Sequence, residues 1–121
     1  MSRNFPTDQM RELNRSAIVV RPKQPFLEWL HSVDLTSSEL TLQDLGQEPD
    51  VYLVPEFESE EDFADYLRKI FPVIFEVQLE GWWTDRSTWP ANQALDTFQA
   101  WFDCQVHSLV LDLSDEPLME Y

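Results

Sequence analysis

Apolar positions along this chain follow two periods, one strand-like and one helical, with prolines standing between them. Ser16–Arg21 (SAIVVR) is a short unbroken apolar run closed by Pro22, which predicts a strand buried on both faces. Pro25 presets a helical φ, and Phe26, Trp29, Leu30 and Val33 then recur at helical spacing, predicting a helix over Pro25–Val33. Between Asp34 and Pro49 the pattern weakens, and Thr41–Leu45 before Gly46 predicts a single helical turn with a left-handed stop. Asp50–Val54 (DVYLV) repeats the logic of the first strand and ends at Pro55. Ser59 with Asp62 three residues later has the form of a capping box. Phe63, Tyr66, Leu67, Ile70, Ile74 and Val77 then share one stripe of a helix. Pro72 removes a backbone donor and restricts Phe71, so a kink or a junction of two helices is expected there, with Gly81 as the stop.

The stretch Gly81–Leu113 holds four of the five tryptophans and the only cysteine. Its second half predicts an amphipathic helix around Leu95, Phe98, Trp101 and Phe102. A strand over Val106–Leu113 follows, apolar on both faces and fit for the middle of a sheet. Unalternated apolar strands joined through helices predict an α/β fold: one small domain over residues 16–121, with a three-stranded, mostly parallel sheet and three to four helices packed on it. The last strand is compatible with either direction. Residues 1–15 predict a flexible arm or a short helix at Asp8–Leu13. Val19, Val54 and Val110, each in the middle of an apolar run, are expected to be buried in adjacent strands.

Composition sharpens this picture. A length of 121 residues with 43% apolar content suffices for one core, and a single cysteine rules out an internal disulfide framework and fits a reducing cytoplasm. No apolar run approaches the ~20 residues of a membrane span, and the first residues lack the apolar core of a signal peptide. A soluble, cytoplasmic, unexported protein without membrane association is expected. The net charge of −15 is unevenly spread. Arg3, Arg11, Arg15, Arg21 and Lys23 face only Asp8 and Glu12 in the first 23 residues, which sum to +3, while the remainder sums to −18. Such a body repels phosphate backbones, so direct nucleic-acid binding is not expected, and a partner's surface should be basic. The acidity also keeps a small aromatic-rich protein in solution.

Candidate chemistry is sparse. Cys104 and His107 have a C-x-x-H spacing, but His107 is expected as a core histidine packed against leucines. No zinc-finger, zincin, hydrolase-elbow or phosphate-loop motif occurs, no catalytic residue is assigned and no cofactor is expected. In a parallel sheet the segments after each strand gather at one edge. That arrangement would bring Glu56 and Glu58 together with Asp112, Asp115 and Glu116 as oxygen ligands for Mg²⁺ or Ca²⁺. Trp82, Trp83, Asp85 and Trp89 form an aromatic loop with polar neighbours, suited to stacking a sugar or anchoring a protein partner, or else to capping the core.

The segments NRSAIVVRPKQPFLEWL, DVYLVPE, EGWWTDRSTWP and FQAWFDCQVHSLVLDLSDEP together resemble the pattern of a family of short acidic bacterial proteins of uncharacterised function. That resemblance implies a bacterial cytosolic protein and carries no catalytic residue to any position. The order of elements is also similar to that of barstar, a small acidic inhibitor with a three-stranded parallel sheet, an analogy of topology and charge without a shared motif. The resulting expectation is a non-catalytic interaction module for a basic protein surface. The rival readings are a metal-assisted hydrolase using the carboxylate edge and a small-molecule binder using the tryptophan loop.

Overall fold

The apolar run expected as the first strand forms β2, Ser16–Pro22, and it is the central strand of a three-stranded sheet. The computed structural model describes residues 10–121. In chain order the elements are β1 (Arg11–Glu12), β2, α1 (Gln24–Val33), a 3₁₀ turn (Leu35–Ser37), α2 (Leu42–Leu45) and β3 (Asp50–Val54). They continue with α3 (Glu60–Trp82), a second 3₁₀ turn (Arg86–Thr88), α4 (Leu95–Trp101), β4 (Phe102–His107) and β5 (Leu111–Asp112). Of the arm or short helix expected at the start, residues 1–9 lie outside the described ones, while Arg11 and Glu12 pair with β5 as a two-stranded antiparallel ribbon.

The sheet is antiparallel where a mostly parallel one was expected. β2 pairs with β3 in the register Ser16↔Val54 to Val20↔Asp50, and with β4 in the register Ala17↔His107 to Pro22↔Phe102. Connection length explains the difference. A single helix crosses to the far end of a sheet, but the chain leaving β2 at Pro22 must come back to Asp50, which sits opposite Val20 at the same end. Segment 34–49, which the weak pattern reduced to a turn, holds the 3₁₀ turn and α2 that make this return. β3 and β4 do run in the same direction, and α3, about 35 Å long at helical rise, is the crossover between them. The antiparallel centre removes the topological half of the likeness to barstar.

One face of the sheet carries the core. Ile18, Val20 and Phe102 from the strands meet Phe26 and Leu30 of α1, Phe75 and Leu79 of α3 and Phe98 of α4, all of them at most 2% exposed. Phe102 is the hub, its ring centroid 5.2–5.4 Å from those of Phe26, Phe75 and Phe98. The opposite face is open along β3 and β4. Val51 and Leu53 of β3 are more than half exposed, so β3 is not buried on both faces as its unbroken apolar run predicted, whereas the central β2 nearly is, with Ala17 buried and Val19 half-buried on that face. Of the three valines expected inside, only Val54 is buried; Val19 and Val110 are intermediate, and Val110 lies between β4 and β5.

The strand expected over Val106–Leu113 is two strands. β4 takes Phe102–His107 at the sheet edge, not its middle, and β5 takes Leu111–Asp112 in the ribbon. His107 lies on the open face opposite Ala17 and is exposed, not packed in the core, because pairing began at Phe102 and alternation then placed position 107 outward. Pro72 sits within one continuous helix, α3, instead of separating two; it is on the exposed side, where a missing donor is borne by solvent. Gly81 is inside that helix, one residue from its end, and Gly46 caps α2 at φ −90°, not in the left-handed region. Thr41 and Asp44 form a full capping box, and Ser59 caps α3 by accepting from the Asp62 backbone N–H at 3.1 Å.

Candidate functional site

The tryptophan loop folds back on the protein. Trp29 Nε1 donates to the Thr88 carbonyl at 3.0 Å and Trp89 Nε1 to the Trp83 carbonyl at 2.9 Å, so two indoles tie the loop to α1 and to itself. The Arg86 guanidinium lies 4.9 Å from the centre of the Trp89 ring, and Asp85 accepts from the Ser87 backbone and hydroxyl to hold the 3₁₀ turn. Trp83 and Trp89 are partly buried against the core, and the Trp83 Nε1 is buried without a partner among the described residues. Of the four residues expected to meet a partner, Trp82 and Asp85 are exposed; Trp82 borders a small cavity of about 210 Å³ with Asp50 and Gln78.

Among the described residues no group of three or more His, Cys, Asp or Glu side chains is arranged to hold a metal ion. The carboxylates expected at one sheet edge do not converge on a cation site, although β3 and β4 end at the same edge. Glu56 and Glu58 lie between β3 and α3. Asp112, Asp115 and Glu116 lie in and after the ribbon, where Arg11 pairs with Asp112 at 2.8 Å and also donates to the Ser114 and Glu116 carbonyls. Cys104 and His107 are split as well: three residues apart on a strand, they point to opposite faces. Burial, then the neighbouring Asp103, pushes the Cys104 thiol up to about 11, with Lys23 acting weakly the other way, so it is a poor nucleophile near neutral pH.

The chain does build a cleft, at the opposite end of the sheet from the tryptophan loop's small cavity. Ser16 at the start of β2, Phe57 past the end of β3, Ser59 and Phe63 at the start of α3, and Val106 near the end of β4 line a volume of about 670 Å³, with Glu58 and Glu60 also bordering it. The Phe57 ring is T-shaped to Phe63 at 5.4 Å and tilted against Tyr66 at 5.4 Å, making an aromatic wall. Val106 faces the helical side of the sheet yet is 38% exposed, since it opens into this cleft. Glu58 and Glu60 at the cleft, and Glu56, Glu61 and Asp62 next to them in sequence, are all exposed, and none is in an ion pair among the described residues. The site was missed from sequence, although PEFESEEDF carries its signal: two phenylalanines set in a run of acids, one just before a cap and one just after it.

Comparisons with protein-family models, with characterised proteins and with solved structures find no match to this chain.

Proposed function

We propose that this protein is a non-catalytic interaction module that binds a basic surface of another protein. The observation that carries the reading is the unpaired acidic rim of the aromatic cleft. Five exposed carboxylates occupy Glu56–Asp62 beside the partly buried Phe57 and Phe63, while only Arg11–Asp112 and Arg68–Asp65 form ion pairs among the described residues. An apolar concavity bordered by Glu58 and Glu60 supplies both area to bury and a field to steer a partner of opposite sign. A phosphate backbone meets the wrong sign, and no helix among the described residues is long and apolar enough to cross a membrane.

Partners recovered at low salt test the reading. The on-rate of the strongest one should fall steeply as salt rises to physiological strength, where the screening length is about 8 Å. An acidic partner, or an on-rate indifferent to salt, would leave the charge as a solubility device and overturn the proposal.

A further inference from the structure

We infer that the cleft at the start of α3 takes an arginine side chain from the partner, its stem against Phe57, Phe63 and Val106 and its guanidinium between Ser16 and the carboxylates of Glu58 and Glu60. This rests on the basic-partner reading above and adds the residue type and the place where it is gripped.

Three independent observations converge. The first is shape and lining: a volume of about 670 Å³ holds a long side chain with part of its backbone, and the Phe57–Phe63 pair offers ring surface to a cation and to methylenes. The second is charge. The positive end of α3 is equivalent to only about half a charge, so the first-turn acids Glu60, Glu61 and Asp62 already outweigh it, and Glu56 and Glu58 precede the cap altogether. The third is Ser16. Its side chain lines the cleft, the residue is 3% exposed, and its hydroxyl makes no hydrogen bond among the described residues. Its oxygen is not sealed from solvent, so the hydroxyl is free to accept from a donor that enters the cleft. Arginine suits this set better than lysine, because five donors in a planar fork serve a hydroxyl and a carboxylate together, while an ammonium is a compact point charge.

Blocked alanine pentapeptides with a central arginine, lysine or citrulline test this on the intact chain by amide and side-chain NMR shifts. The arginine peptide should move Ser16, Phe57, Phe63 and Val106 together, with the neutral citrulline peptide weaker by about tenfold or more. Glu58→Gln with Glu60→Gln should weaken the arginine peptide about fivefold or more, and Ser16→Ala severalfold without lowering the unfolding midpoint, since it deletes an unpartnered group. Shifts scattered over the acidic surface, equal binding of citrulline, or no response to these variants would overturn the assignment. A basic partner that still binds with a salt-steered on-rate when all three positions are substituted would overturn the cleft alone, and the broader reading would stand.

Discussion

Gln78 is the buried polar side chain of α3, and its Nε2 donates at 2.8 Å to both Asp50 Oδ2 and the Tyr52 hydroxyl. It therefore fixes the helix against β3 by hydrogen bonds where its neighbours use apolar contact. Gln78→Leu should cost about 1–2 kcal/mol, read from denaturant midpoints, because both acceptors lose their donor. The Tyr52 phenol titrates above its ordinary value, chiefly because it is buried, while the Gln78 bond pulls it back down. The same variant should therefore move the phenolate absorbance transition to higher pH. Cys104, raised to about 11 by burial, has a stability consequence of definite sign. The unfolded chain releases the thiol proton at lower pH than the folded one, so stability is intact below the ordinary thiol value and is lost as pH rises through about 11. Cys104→Ala should flatten the loss of stability between neutral and strongly alkaline pH, and Tyr52 should supply what slope remains. A wild-type midpoint that does not fall across that range would contradict both assignments.

At the scale of elements, α3 decides most of the architecture. Its stripe buries Leu67, Ile74, Phe75 and Leu79, and its length lets one helix cross from the end of β3 to the segment that starts β4. Pro72 is the local choice that disagrees with this element. It lies on the exposed side, so Pro72→Ala should stabilise the protein by about 1–3 kcal/mol and raise helical circular dichroism. Ser59→Ala should act in the opposite direction, by about 1 kcal/mol, through loss of the cap to the Asp62 N–H. Because Ser59 also borders the cleft, its hydroxyl ties the opening of the helix to the shape of the site.

Across the whole molecule the net charge of −15 works against compactness. Among the described residues only two ion pairs offset it, and the Arg68–Asp65 pair is exposed on α3, where such pairs contribute little. Adding sodium chloride from low to physiological strength should therefore raise the denaturant midpoint, while the same change slows association with a basic partner. The two effects have opposite signs, and this separates them: a midpoint that falls with salt would mean that attractive pairs outweigh repulsion in the folded state.

The strand and helix positions were legible because they depend on neighbours in sequence. SAIVVR, DVYLV, the stripe from Phe63 and the helix at Phe98 all announce themselves through apolar period and punctuation, and the residue types that fill the core are those the periodicity marked. The direction and order of the strands depend instead on which ends of distant elements meet. Residues 34–49 carry too weak a pattern to show that the chain turns back, so a sheet with an antiparallel centre could not be told from a parallel one. Register had the same character: starting β4 at Phe102 sent His107 to the open face, a one-residue matter that apolar content does not set. The cleft follows from that tertiary choice. Ser16, Phe57, Phe63 and Val106 come from four separate segments, and only the packing of α3 across one end of the sheet brings the Ser16 hydroxyl, two phenyl rings and the carboxylates of Glu58 and Glu60 to one place.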